Sequence, residues 1–547
     1  MKRIIATLLA MLMLFAALAS AESIEDYITE SGLPIVTDAS KLEEMDILWV
    51  ASPLCQLEPH EIAWIKQNEA ETGMKFNWQK INSEGATEKM PVILSADELP
   101  DIIWNGISKD MFVQLMDQDI FMPVEDLIEN HMPNLKKILD ENPQYKEMMY
   151  APDGHIYGFP YIEEMDGLVL TPGPMVIYKP WLDKLGLEMP TTIDEFHEVL
   201  LAFKNAGDLN ENGINDEIPY ALSFNSKETF GSCNTFHMLT GCFGQADSAR
   251  GAQDDHLSPI DGVVTYTAID EAYRETCKFY HELWKEGLLD SFSPEVNAGN
   301  PLYYSKLKGT EPVLGVCSMW TRSDVISDEN LREGYVPLPR LEGPGGKMGF
   351  VLNYSEMQKA YSTFLTVDCK YPELVARWID NNYTLLNSQF LNWGPIGTRY
   401  EWTDDTHTEV NKITDVPPEY SVWPEWRVNI TPLAGPCALL TEVYALTHPD
   451  PTFHEYIDDQ NVNGKQECLA ELKAMPQGFL TKEEQTRASQ LQPQLENIVN
   501  QYTMNWILDG GADEQWDEYV SALKNAGLDE FVAIYQAMYD RSQGGNK

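Results

Sequence analysis

Residues 208 to 219 read DLNENGINDEIP, which sets Asp208, Asn210, Asn212, Asp216 and Glu217 at nearly alternate positions around Gly213. Two kinds of chemistry need such a run. Asn, Asp and Gly tolerate tight turns and bond their own backbone, so the stretch can be a solvated turn. A hard cation such as calcium takes six to eight oxygens, and an Asp-x-Asn-x-Asn-Gly spacing folds such donors inward. The residue types alone leave both readings open.

Catalytic constellations are scarce. Four His-Glu dipeptides begin at His60, His197, His281 and His454, and none continues to the second His of a zinc protease. No G-x-S-x-G elbow is present. The Gly343-Pro344-Gly345-Gly346-Lys347 turn lacks the leading Gly of a phosphate loop, and Met348 stands where Ser or Thr is required. A pair of carboxylates acting as a glycosidase remains the enzyme alternative.

The bulk properties narrow the partners. Lys and Arg total 38 against 86 Asp and Glu, a net charge of −48 over 547 residues. That surface repels phosphate backbones and anionic membranes, so nucleic acid is excluded as a partner. The length predicts more than one domain and leaves room for a cleft between lobes. Residues 1–21 read as an export signal: Lys2 and Arg3, an apolar run from Ile4 to Leu18, and the small-residue site Ala19-Ser20-Ala21. Retention of the leader as an anchor is the alternative. No later segment approaches a spanning length, which predicts a soluble mature protein. Eight cysteines without a C-x-x-C pair argue against a zinc ribbon or redox dithiol. None ends the leader, so a lipid anchor is closed to this precursor.

The elements that must position any site alternate along the chain. After a polar lead-in, 22–44, Ile47 to Val50 predicts a strand, residues 59–71 a helix, and Phe76 to Trp78 a second strand. Such alternation implies a parallel sheet. Thr192 and Glu195 form a capping-box pattern opening a helix to Phe203. Trp516, Tyr519, Val520 and Leu523 share one face of another helix, and Gly527 ends it before the next begins at Leu528.

Several stretches together resemble one family: Leu99-Pro100-Asp101-Ile102-Ile103-Trp104, Asp153 to Tyr161, Trp181 to Leu187 followed by Pro190 to Phe196, Trp284 to Asp290, Tyr335 to Pro344, and Tyr535 to Arg541. In this order they are similar to the family 1 extracellular solute-binding proteins of bacterial ABC importers, in the large oligosaccharide-binding branch. The resemblance implies an α/β, two-lobe periplasmic-binding-protein-like fold of type II, closing on a ligand between lobes joined by crossing strands. It puts the first crossing near Tyr161 to Tyr178 and a return near Phe350 to Tyr354. The lobes are then 45–165 plus about 351–410, and 166–350 plus about 411–541. It further implies a monomer that captures an oligosaccharide and delivers it to permease subunits, without catalysis. A receptor for peptides or other small solutes and a secreted carbohydrate-active hydrolase are the alternatives. Many relatives are lipoproteins, and this chain departs from them, leaving a periplasmic or extracellular location.

The same resemblance bears on the loop. Relatives carry Asp-x-Asn-x-Asn-Gly-x-x-Asp-Glu after the Thr-Thr helix and hold calcium there. By that likeness Asp208, Asn210, Asn212, Asp216 and Glu217, with the Ile214 carbonyl, are the ligands of a structural Ca2+ in the loop 208–217. Pro219 at the twelfth position, where an EF-hand has Glu, sets it apart from a sensor. For the cleft, sugar rings call for flat aromatic platforms beside polar side chains. At strand ends, the expected crossing and late loops, the candidates are Trp104 with Asn105, Tyr161 with Glu163, Trp320 with Arg322, Trp393, and Trp423 with Trp426.

Overall fold

The computed structural model describes residues 24–164, 175–221, 236–247, 256–289, 309–318, 328–349, 356–403, 405–413, 415–420, 423–447 and 478–544, with short pieces at 322, 326, 458–459, 461–465, 467–468 and 475–476. The leader and Trp320 lie outside the described residues.

Ten strands build two sheets: β1 Met45–Ala51, β2 Phe76–Asn82, β3 Ile102–Trp104, β4 Gly158–Glu163, β5 Met175–Tyr178, β6 Ile218–Tyr220, β7 Leu314–Ser318, β8 Tyr335–Pro337, β9 Met357–Leu365 and β10 Cys437–Leu439. The first sheet runs β10-β4-β9-β3-β1-β2, and the second β8-β5-β7-β6. β1 pairs in parallel with β2, from Met45 opposite Phe76 to Ala51 opposite Asn82, and with β3 through Ile47 opposite Ile102. Five of the seven β1 residues are buried, the near-continuous apolar run of a strand covered on both faces. The helix Ala63–Thr72 supplies the crossover that parallel pairing requires. It stops at Gly73 in the left-handed region, φ 70°, where a Cβ would meet the Val36 carbonyl oxygen at 1.9 Å.

The fully parallel expectation is corrected. β9 is antiparallel to both β3 and β4, and β5 is antiparallel to β7 and β8, because these strands return from the other lobe instead of from a local crossover. The chain passes between sheets after β4 and before β5, and back between the hairpin 342–347 and β9. The expected crossings therefore fall largely on 165–174 and 350–355, outside the described residues.

Each sheet has its own core. The second gathers β5, β6 and β7 with the helices Ile193–Ala206, Glu271–Lys285, Lys482–Asp509, Ala512–Asn525 and Leu528–Gly544. Thr192 caps the first of these, accepting from the Glu195 N–H while Glu195 bonds back, as the sequence predicts. Phe479, just before the helix Lys482–Asp509, packs on Phe112 and Tyr361 of the first lobe, and Lys482 pairs with Asp117 at 2.7 Å.

Two boundaries move. Residues 24–44 are not a loose lead-in: Ile35 and Val36 are buried, and both their N–H groups donate to the Thr72 carbonyl. Residues 423–446, assigned to the second lobe from the sequence, belong to the first. β10 pairs with β4, Cys437 opposite Tyr161, and Val428 and Leu439 join the first core.

Candidate functional site

In a sheet of this kind ligands gather outside the carboxyl ends of the strands. At that edge of the first sheet, β3 ends at Trp104 and β4 at Glu163. Trp104 is fully buried, with Trp64, Trp78 and Trp378 centred 6.1, 5.7 and 5.9 Å away and the Gly435 backbone closing the remaining face. The expectation of a sugar platform at Trp104 is thus corrected: no ring face is left open. The apolar run that marked it as a strand end also carries it inward.

Asn105 turns the chain outward with φ 62°. Its Nδ2 donates to the Leu433 carbonyl at 2.9 Å, and its Oδ1 accepts from Lys359 Nζ at 2.9 Å. Tyr161 donates its hydroxyl to Glu163, and that oxygen lies 3.4 Å from Asn392 Oδ1. Burial, then the adjacent Glu163 carboxylate, pushes the Tyr161 hydroxyl well above its usual 10, so it stays a donor. Asn392, fully buried, lies 3.5 Å from Glu163, accepts from the Ala434 N–H at 3.3 Å, and has its carbonyl bonded by Arg427 Nε at 2.7 Å. Trp393 follows Asn392 at the end of the helix Leu385–Trp393 and is half-buried.

Trp423 and Trp426 meet edge to face at 5.4 Å. The Arg399 guanidinium lies 3.7 Å over Trp423 and 5.4 Å from Trp426, while Trp426 is buried beneath and Trp423 is half-buried. The fold therefore brings together Asn105, Tyr161, Glu163, Trp393, Trp423 and Trp426 on the first lobe. It does not bring Arg322 to them. Arg322 grips Asp459 through Nε at 2.6 Å and Nη2 at 2.9 Å, and reaches the Tyr335 carbonyl at 2.9 Å, so its expected ligand role gives way to a clamp within the second lobe. Asn392, Arg399 and Lys359 escaped sequence reasoning. Only tertiary contacts set them beside the strand ends.

The loop at 208–217 lies elsewhere, before β6, at the edge of the second sheet opposite the carboxyl ends of β6 and β7. Asp208 accepts from the Asn212 and Gly213 N–H groups at 3.1 and 2.9 Å, Asn210 from Asn212 at 3.0 Å, and Asn212 from Ile214 at 2.8 Å. A turn alone would make these bonds. Glu217 does more than a turn needs. One carboxylate oxygen accepts from the Leu209 and Asn210 N–H groups at 2.5 and 2.9 Å, while Oε2 is buried with no hydrogen-bond partner. A buried carboxylate oxygen left unmatched is costly, and a cation would match it. The donor set therefore fits calcium. The loop is tied to the approach of β7 by Asn212 to Glu311 at 3.0 Å and Asn210 to the Pro312 carbonyl at 3.1 Å.

The sequence also hid a buried cluster in the second lobe. Asp247 Oδ2 lies 2.9 Å from both His237 Nδ1 and His256 Nδ1, and Thr267 donates to Oδ1. All four residues are buried.

Two α/β lobes, each with its own sheet and core, with polar and aromatic side chains gathered at the strand ends of one, define a periplasmic-binding-protein-like solute-binding protein. No family model matches the chain. It belongs to the ABC-transporter substrate-binding proteins: it is 34% identical over 515 residues to the fructooligosaccharide ABC transporter substrate-binding protein FusA of Streptococcus pneumoniae, covering 91% of this chain and 90% of FusA. The solved structure of FusA in complex with kestose matches with a TM-score of 0.77 at 33% identity, over 92% of this chain and 100% of that one. An EF-hand mutant of FusA in complex with fructo-nystose matches at 0.76 and 32% identity, over 92% and 100%.

Proposed function

We propose that this protein is the substrate-binding component of an ABC importer that captures an oligosaccharide against the strand ends of the first lobe, closes the second lobe over it, and presents the closed form to a membrane permease. The observation that carries the reading is the similarity to FusA across 91% of the chain, both lobes included. A fructooligosaccharide is accordingly the first ligand to test. Asn105, Tyr161 and Glu163 supply the polar contacts, and Trp393 and Trp423, backed by Trp426, supply aromatic surface. Trp320, beyond the described residues, is the proposed platform from the second lobe. The mechanism is population shift: a ligand touching both lobes favours the closed state in proportion to its extra contacts there.

The loop at 208–217 is read as a structural calcium site. Asp208, Asn210, Asn212, Asp216 and Glu217 side chains and the Ile214 carbonyl would hold the ion, whose chemistry there is to neutralise converging carboxylates and pin the entry to β6. An EF-hand in FusA supports this reading. The protein is further read as a monomer exported through residues 1–21 to a periplasmic or extracellular location, and as a non-enzyme. Among the described residues no helix is long and apolar enough to cross a membrane.

Calorimetric titration with kestose, longer fructans and a wider glycan panel tests the reading. Saturable binding of a glycan recovered intact supports it. Binding of peptides with no glycan bound would transfer the protein to the peptide receptors, and shortened products in mass spectra would make it a hydrolase.

A further inference from the structure

Lys359 lies on β9, between β3 and β4 in the first sheet. Among the described residues its ammonium bonds only the Asn105 amide oxygen, at 2.9 Å, and pairs with no carboxylate. It stands on β9 opposite Tyr161, beyond the point where β3 has ended at Trp104 opposite Thr363. Asn105 is held on both sides of it, by its N–H to the Ser362 carbonyl at 2.8 Å and its Nδ2 to the Leu433 carbonyl. Lys359 is exposed to solvent, yet surrounding protein desolvates the ammonium enough to push it down to about 8.

A cation stripped of water and given one neutral partner is costly. An ammonium has three donors, and Asn105 occupies one. We propose that Lys359, oriented by Asn105, is a ligand-binding residue that donates hydrogen bonds to hydroxyl oxygens of an uncharged glycan seated beyond the carboxyl ends of β3 and β4. The inference rests on the oligosaccharide reading above and deepens it by choosing the ligand's charge. The end of β4 already carries carboxylates, with the Glu163 N–H on the Glu356 carbonyl at 2.7 Å and Glu164 and Glu356 both on the Tyr145 hydroxyl, so a uronate entering here would add a charge to an acidic edge. Neutral hydroxyls meet no such penalty, and bonds from a charged donor are stronger than neutral ones.

Among the described residues the ionisable groups on the neighbouring elements are Tyr161 and Glu163 of β4, Glu164 and Glu356 beside them, and Tyr145, Lys146 and Glu147 of the helix Pro143–Met149. Tyr161 is held protonated far above neutrality, and Glu356 is pushed up by burial and by Glu164, its bond from Tyr145 opposing the rise. The test is calorimetry of the full chain with kestose and with an oligogalacturonate, from pH 6.5 to 9, on wild type, Lys359→Met and Lys359→Arg, with a melting temperature for each. Expected are kestose binding weakened roughly tenfold or more in Lys359→Met, with an unchanged or higher melting temperature because a desolvated charge has gone. Wild-type affinity is expected to fall as pH rises through about 8, where the ammonium loses its proton, and Lys359→Met should show no such fall. Lys359→Arg, retaining charge, should restore part of the affinity. Wild-type binding of kestose with Lys359→Met equal to it overturns this inference and spares the oligosaccharide reading. A loss of affinity that only follows a lower melting temperature makes Lys359 structural and also overturns it. Preference for the oligogalacturonate overturns the uncharged class, and no binding of any glycan overturns both readings.

Discussion

Single side chains in this protein separate core from crevice in ways their types conceal. Trp104 sits among three other tryptophans, so Trp104→Ala should destabilise by about 3 to 5 kcal/mol through lost burial and a cavity, with ligand affinity unchanged in the folded fraction. Chemical denaturation beside titration checks this, and a binding defect without a stability defect would return Trp104 to the ligand. Glu217 makes the complementary case, since its buried Oε2 is the atom that a turn leaves unexplained. If the loop holds calcium, binding to the folded state alone stabilises by about 2.7 kcal/mol when free calcium is a hundred times the dissociation constant. Chelation should lower the melting temperature and calcium should restore it, with magnesium a poor substitute because it gives up its waters reluctantly. Asp208→Ala should abolish that response and leave glycan affinity nearly intact, because the loop enters β6 from the edge away from the crevice. Identical melting in chelator and in millimolar calcium, with no metal by elemental analysis, would leave DLNENGINDEIP a turn.

Between elements, the buried Asp247 carboxylate ties parts of the second lobe together. Asp247 joins the helix Phe236–Phe243, through His237, to the strand Leu257–Ile260 and its hairpin partner, through His256 and Thr267. Burial alone would raise the Asp247 carboxyl, but the two imidazoles outweigh it and hold the group far below the ordinary carboxylate range. A carboxyl depressed in the folded state stabilises fully above its unfolded value of about 3.9, and that contribution is lost as pH falls toward the folded value. Asp247→Asn should therefore cost about 3 to 5 kcal/mol at neutral pH, the range for breaking a buried charged network by removing one partner. The gap between variant and wild type should narrow below about pH 4. Urea melts at a series of pH values measure it, and a gap independent of pH would mean that packing, not charge, joins these elements.

At the scale of the whole molecule, the two sheets exchange strands only through a few passages, and each lobe keeps its own core. Such a construction predicts rigid lobes with motion between them. Small-angle scattering with saturating kestose should give a smaller radius of gyration than without it. Superimposable curves at demonstrated saturation would count against closure as the transport signal. The packing of Phe479 on Phe112 and Tyr361, with Lys482 on Asp117, fastens one lobe to the long helix of the other and should lie away from the moving edge. Lys482→Ala should accordingly change neither affinity nor stability by more than about 1 kcal/mol, the worth of an exposed ion pair.

Local chemistry was legible in the chain itself. Period and capping residues were enough for β1, the helix Ile193–Ala206 and the paired helices flanking Gly527, since those signals depend on near neighbours. The acidic balance and the oxygen-rich composition of the loop were equally local, and the ordered family segments carried the two-lobe architecture. Distance along the chain is where this ended. Nothing near Trp104 announces that Trp378 and Gly435 will close over it, and nothing near Lys359 announces Asn105, 254 positions earlier. The antiparallel entry of β9 and the return of β10 to the first sheet are likewise long-range pairings, invisible to any periodicity. A strand's period says which side chains share a face, whereas only the packed neighbour decides whether that face meets core, solvent or a ligand.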